Sequence, residues 1–137
     1  MALVIDASVA ACWALADESH QIADLALERA GREETLAPAL FWFEVRNILV
    51  VSERRKRITE VRTMTFLREL PHLVPEVDRS PNEGEVMRLA RKHKLTVYDA
   101  AYLELASRIG GSLASLDGDL VKAARKEGVG VLQAKLP

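Results

Sequence analysis

Close to the start of the chain a short apolar run, Leu3-Val4-Ile5, breaks directly into a carboxylate at Asp6. Aliphatic and β-branched residues without polar alternation describe a strand covered on both faces, as in the middle of a parallel sheet packed between helices. Such a strand has no solvated face for a charge. Asp6 therefore belongs at its carboxyl end, the edge where open α/β sheets keep their ligand crevices. Strands also end in Asp because its short side chain serves turns and caps. Three further acids bear on that choice.

The rest of the chain alternates helical and extended patterns. Ser8 caps a first helix through Trp13 and Leu15, ending at the polar turn Asp17-Glu18-Ser19. A second spans His20 to Ala30, with Ile22, Leu25, Ala26 and Leu27 on one face and Gly31 as the residue past its end. Thr35-Leu36-Ala37 is a strand closed by Pro38, and Ala39 to Lys56 is a long helix with Phe41, Val45, Ile48, Leu49 and Ser52 at helical spacing. A further helix runs from Ile58 to Leu70 with Thr59 as its cap, and Leu73 to Val77 contains Pro75, which makes it an edge strand or an irregular extended piece. Ser80 caps and Pro81 opens a helix reaching Lys94, and Val97 to Ile109 is another, ended by Gly110-Gly111. Strand Ser112 to Leu116, helix Gly118 to Glu127 and strand Val129 to Leu132 complete an α/β sandwich around a mostly parallel sheet.

At 137 residues, one domain over 1–137 is expected, large enough to bury a core without disulfides or metals as staples. Nineteen Lys and Arg against 20 Asp and Glu leave no global positive field, so a polyanion would have to be met by a local patch. The single cysteine, Cys12, lies in an apolar run and reads as a small buried hydrophobe in a reducing, cytoplasmic setting. No apolar stretch approaches the roughly 20 residues of a membrane span, and the amino terminus lacks a signal-like pattern.

Glu44 lies in the first half of the long helix, one residue from its apolar stripe, with Asn47 three residues on and on the same face. Asp99 stands at the amino end of its helix, where the helix dipole favours a carboxylate. Asp117 ends the strand Leu113-Ala114-Ser115-Leu116 as Asp6 ends the first, with Asp119 two residues later. Parallel strands that both end in Asp put two carboxylates at one edge of a sheet, where helices also begin. Like charges at about 4 Å repel by roughly 4 kcal/mol at an effective dielectric of 20. A divalent cation is the usual reason for such convergence, and oxygen ligands without clustered His or Cys point to Mg²⁺ or Mn²⁺ rather than zinc. His20, His72 and His93 all lie in polar, turn-like or charged surroundings and are not assigned a catalytic part.

The segments Val4-Ile5-Asp6-Ala7-Ser8, Glu44-Val45-Arg46-Asn47, Tyr98-Asp99-Ala100-Ala101-Tyr102 and Ser115-Leu116-Asp117-Gly118-Asp119-Leu120 resemble, in order and spacing, the PIN-domain ribonucleases. They are most similar to the VapC toxins of prokaryotic toxin–antitoxin pairs. The resemblance implies a three-layer α/β/α fold and an acid quartet of Asp6, Glu44, Asp99 and Asp117 holding Mg²⁺ or Mn²⁺ for water-mediated RNA cleavage. It implies supporting parts for Ser8, Asn47 and Ser115, with Asp119 as a further supporting acid. It also implies a homodimer and a small VapB-like antitoxin that covers the active site.

Arg54-Arg55-Lys56-Arg57 is the densest cationic cluster and the first choice for RNA contact, with a second at Arg91-Lys92-His93-Lys94. Cations at a helix carboxyl end, favoured by its dipole, are the competing reading of both. Trp13, Leu40 and Trp42 supply apolar helix surface for partner contacts or for the core. A haloacid-dehalogenase-type phosphatase would require Asp at position 8, where Ser8 stands, and no Walker A or G-x-G-x-x-G loop is present. The alternative kept open is a non-catalytic PIN-like module that binds protein or RNA.

Overall fold

The computed structural model describes residues 2–133; Met1 and residues 134–137 of the expected single domain lie outside the described residues. In chain order the elements are β1 (Leu3–Ile5), α1 (Ala7–Ala14), α2 (Gln21–Arg29), β2 (Thr35–Pro38), α3 (Leu40–Arg54) and α4 (Glu60–Leu73). They continue with β3 (Glu76–Asp78), α5 (Glu83–His93), α6 (Val97–Arg108), β4 (Ser112–Ala114), α7 (Gly118–Lys126) and β5 (Gly130–Val131).

The strands form one sheet in the order β3-β2-β1-β4-β5, parallel at every pairing. Leu3 aligns with Thr35 of β2 on one side and Ser112 of β4 on the other. From β1 the chain winds first toward β3 and later toward β5. Right-handed crossovers therefore put α1 to α4 on one face and α5 to α7 on the other. The contacts of α1 with α2, α3 and α4, and of α6 with α5 and α7, follow that division. The result is a three-layer α/β/α sandwich whose order reverses between β1 and β4, and a crevice opens at their carboxyl ends.

Leu3, Val4 and Ile5 are wholly buried, as an apolar run in a central strand requires. Val45 and Leu49 of α3 and Leu103 of α6 pack into the same hydrophobic cluster. Of the proline-bearing segment, Glu76 and Val77 enter the edge strand β3, which starts just after Pro75, while Leu73 ends α4. Glu104, buried in α6, is held by Arg108 at 2.8 Å, and Arg108 also reaches Asp78 at 2.6 Å, tying β3 to that layer.

Several boundaries differ from the sequence pattern. The cap of α1 is Asp6, whose carboxylate accepts from the Ser8 amide; Ser8 itself lies within the helix. Likewise α5 is capped by Asn82 accepting from the Glu85 amide, so Ser80 and Pro81 precede the helix. In both cases the winning cap is the side chain whose oxygen reaches an amide two or three residues ahead. Helix α4 runs through Pro71 to Leu73, its last turn closed by Val74 N–H to Leu70 O at 2.9 Å. Strand β4 stops at Ala114, freeing Ser115 and Leu116 to turn toward the crevice. Gly31 has φ +83°, the left-handed conformation expected past the end of α2.

Candidate active site

At the reversal between β1 and β4 lies a cleft of about 330 Å³, lined by Asp6, Ser8, Glu44, Asp99 and Asp117, with Ile48 and Leu116 as apolar walls. Each acid arrives on a different element. Asp6 follows β1 and caps α1, while Asp117 caps α7 through Oδ1, which accepts from the amides of Asp119 (2.9 Å) and Leu120 (3.2 Å). Asp99 stands in the first turn of α6, its own amide donating to the Thr96 cap hydroxyl at 3.1 Å. Three of the four acids thus sit at helix amino ends, where unpaired amides and the helix dipole favour negative charge. Glu44 comes from the second turn of α3 instead.

Ser115 lies directly beneath the cleft. It is buried, its hydroxyl donates to Asp6 Oδ2 at 2.7 Å, and it accepts from the Asp117 amide at 3.0 Å. One hydroxyl therefore sets the two strand-end acids relative to each other. The second oxygen of Asp6 accepts from the Ser8 amide at 3.3 Å. Ser8's own hydroxyl is buried beside Asp6 and helps to hold down the Asp6 carboxyl pKa, although it falls short of full hydrogen-bonding geometry.

Burial pushes the carboxyl groups of Asp6, Glu44 and Asp99 above their ordinary range. The mutual charges of the set push in the same direction: Asp117 on Asp6, Asp6 and Asp99 on Glu44, and Asp117, Asp6 and Asp119 on Asp99. The hydroxyl of Ser115 offsets part of the rise at Asp6, and that of Tyr102 part of the rise at Glu44.

Tyr102 is the site residue that sequence pattern did not single out. Wholly buried, it donates from its hydroxyl to Glu44 Oε1 at 2.6 Å, and burial together with the Glu44 carboxylate holds its phenol protonated far above the usual range. The available signal was its spacing, three residues beyond Asp99 and so on the same helix face.

The donor set suits a hard divalent cation in kind, being oxygen throughout and mutually repelling without one. As the side chains stand, no three His, Cys, Asp or Glu among the described residues are grouped closely enough to hold a metal ion. Asp6, Glu44 and Asp117 each accept from a neighbouring donor instead. A carboxylate offers about four lone-pair sites, so these bonds leave capacity for a cation that draws the acids together.

The other residues singled out from sequence fall outside the cleft. Asn47 is exposed on α3, and Asp119 is exposed in the first turn of α7, lining a neighbouring pocket. Arg54 lies ten residues beyond Glu44, about 15 Å along the helix axis at 1.5 Å per residue. In that cluster Arg57 is engaged by Asp17 at 2.9 Å and Glu18 at 2.5 Å, whereas Arg54, Arg55 and Lys56 are exposed. Trp13 is anchored by its indole N–H to Ala23 O at 2.9 Å, and Leu40 packs on the core. Trp42 is half exposed beside the still more exposed Phe43, an edge-on ring pair with centroids 4.9 Å apart, and Arg46 stacks over the Trp42 ring.

Comparison with known proteins bears on the fold and on the family. A crystal structure of PAE2754 from Pyrobaculum aerophilum superposes with a TM-score of 0.73, covering 96% of this chain and 90% of that one at 24% identity, a likeness of fold. Ribonuclease VapC3 of Pyrobaculum aerophilum is 36% identical over 126 residues, 89% of this chain and 94% of that protein. The PIN domain family model matches residues 3–126, so it takes in every strand but the last and all four cleft acids. By that match and by the extent of the curated likeness, the chain belongs to the PIN-domain family.

Proposed function

We propose that this protein is a metal-dependent endoribonuclease, the toxin of a VapBC-type toxin–antitoxin pair, which hydrolyses RNA phosphodiesters in the carboxylate cleft. The observation that carries the reading is the meeting of Asp6, Glu44, Asp99 and Asp117 in one cleft at the reversal of strand order. The name of the curated relative, a ribonuclease, supports the choice of RNA.

Asp6, Asp99 and Asp117 would hold the cation, with Glu44 as a further ligand or a base. The chemistry that Mg²⁺ or Mn²⁺ supplies in such a site is neutralisation of phosphoryl charge and activation of water near neutral pH. Ser115 keeps Asp6 and Asp117 in register through its two hydrogen bonds. Tyr102, protonated at every working pH, fixes one oxygen of Glu44 and leaves Oε2 without a protein partner among the described residues, facing its task as ligand or proton acceptor. Ile48 and Leu116 supply apolar wall between the acids.

A small antitoxin would cover the cleft, and Trp42 and Phe43, exposed two residues and one residue before Glu44, offer it an aromatic anchor. A homodimer is part of the same reading. No helix among the described residues is long and apolar enough to cross a membrane, which accords with a cytoplasmic toxin.

The test is incubation of purified protein with labelled RNAs, with chelator and then with Mg²⁺ or Mn²⁺. Cleavage should require the metal and should be abolished by Asp6→Asn or Asp99→Asn while folding survives, since amides are poor ligands for hard cations. Full activity in well-purified Asp6→Asn protein would remove the site from the mechanism. RNA binding without cleavage under any metal condition would favour the binding-module alternative.

A further inference from the structure

A second pocket, of about 350 Å³, lies between the carboxyl end of α5 and the exposed side of α7, lined by Lys92, His93, Lys94, Asp119, Lys122 and Lys126. Its cations are not equivalent. Lys92 is committed to Glu127 at 2.9 Å, and that carboxylate also takes Arg88 at 2.9 Å and His93 Nε2 at 2.7 Å. The negative charge of Glu127 is therefore already shared among three partners. Lys94, Lys122 and Lys126 have no ion-pair partner among the described residues. Ammonium groups lining one pocket repel one another, and the cheapest relief is an anion that several of them can contact.

Position identifies the anion. Asp119 lines this pocket, and its amide donates to Oδ1 of Asp117 in the acid cleft, so the two cavities adjoin at the amino end of α7. Asp119, Lys122 and Lys126 recur at helical spacing on one face of α7. The stripe leads away from the cleft for roughly 10 Å at 1.5 Å per residue. A small free anion gains little by sitting next to four carboxylates. A polymer whose reacting phosphate is drawn into the cleft must place its neighbouring phosphates somewhere, and the lysine stripe begins where the cleft ends. Along its helix Lys122 stands about 7.5 Å from Asp117 and Lys126 about 13.5 Å, against about 15 Å from Glu44 to Arg54, so Lys122 is the cation of these nearest to an acid of the cleft.

We propose that Lys94, Lys122 and Lys126 form a phosphodiester-binding subsite that seats the RNA backbone immediately beside the acid cleft. The proposal rests on the ribonuclease reading and adds to it the direction in which the strand leaves the site. Lys92, held by Glu127, serves as part of the wall.

The full chain is compared with Lys122→Gln/Lys126→Gln, and with Arg32→Gln/Arg68→Gln as a charge-matched control remote from both cavities. Glutamine is close to lysine in helix propensity, so α7 should persist. Anisotropy of fluorescein-labelled single-stranded RNA in chelator gives the binding constant across a salt series, and cleavage in Mn²⁺ gives kcat and KM. The lysine variant should bind several-fold more weakly, flatten the slope of log K against log salt by about 0.7 for each lost contact, and raise KM far more than it lowers kcat. The control should match wild type. Wild-type cleavage with an unchanged salt slope in the lysine variant would overturn the subsite and leave the ribonuclease reading standing. Absence of both RNA binding and cleavage in wild type would overturn both. Lysine-dependent binding of inorganic phosphate with no such dependence for RNA would assign the pocket to a free anion instead. Lysine-dependent binding of a poly-glutamate peptide with no such dependence for RNA would assign it to an acidic protein, and either result overturns the proposal.

Discussion

Tyr102 and Glu44, 58 residues apart in sequence, meet in a 2.6 Å hydrogen bond that joins α6 and α3, helices of opposite layers, across the carboxyl edge of the sheet. Tyr102→Phe keeps the ring and deletes this bond alone. The loss should cost about 1.5–3 kcal/mol, the range for a hydrogen bond to a charged partner. Because the hydroxyl lowers the carboxyl pKa of Glu44, its removal should raise that pKa further. Urea denaturation and the acid limb of the pH–rate profile check the two effects; unchanged values of both would show the bond to be incidental.

Ser115→Ala removes the donor to Asp6 and the acceptor of the Asp117 amide in one step. With the site buried, a loss of about 1–3 kcal/mol is expected from the unsatisfied groups. The carboxyl of Asp6, already raised by burial, should rise again, so the acidic limb of cleavage should move to higher pH. A rate profile that coincides with wild type would rule out this coupling.

Burial of the cleft acids, with their mutual repulsion added, makes a prediction about stability against pH. Asp6, Glu44 and Asp99 have folded pKa values raised above the unfolded ones. The native state then holds protons that the unfolded chain has already released, and metal-free stability falls as pH rises from the unfolded value of about 4 through the folded values. Saturating Mn²⁺ should restore it, by about 2.7 kcal/mol at a hundred times the dissociation constant. Asp99→Asn should melt higher than wild type in chelator and gain less from Mn²⁺. Calorimetry of both proteins near pH 7 decides, and equal metal-induced shifts without stabilisation of the metal-free variant would mean that the acids share no cation.

Arg108 holds a fold-level pair. Its guanidinium joins buried Glu104 to Asp78 of the edge strand. Arg108→Met strands Glu104 without compensation and should cost on the order of 3 kcal/mol, whereas adding Glu104→Leu should recover most of it. Guanidinium denaturation midpoints of the single and double variants check the sign of the coupling.

The cluster at Arg54 and Arg55, exposed but distant from Glu44, can meet RNA that extends well beyond the cleft. Arg54→Gln/Arg55→Gln should flatten the salt slope for long RNA by about 0.7 per lost contact and leave a short oligonucleotide unaffected. An equal effect on both lengths would contradict the axial distance.

What the chain determined by itself was local. Leu3 to Ile5 read as a doubly covered strand because apolar continuity is a property of neighbours, and the helices between Gly31 and Gly110 followed from helical period, although α5 took Asn82 and not Ser80 as its cap. Asp6 and Asp117 could each be read as a cap or as part of a site; the structure makes both caps and both cleft acids, since helix amino ends stabilise the charges that the cleft concentrates. Tertiary structure decided everything that depends on one layer meeting another. The bond of Tyr102 to Glu44, the hold of Ser115 on Asp6 across 109 positions, and the pocket that α5 and α7 build from Lys94, Lys122 and Lys126 have no counterpart in sequence spacing. Periodicity tells a residue's face on its own element. The residue it meets depends on strand order and on how helices cross the sheet, and those are set by packing of the whole core at once.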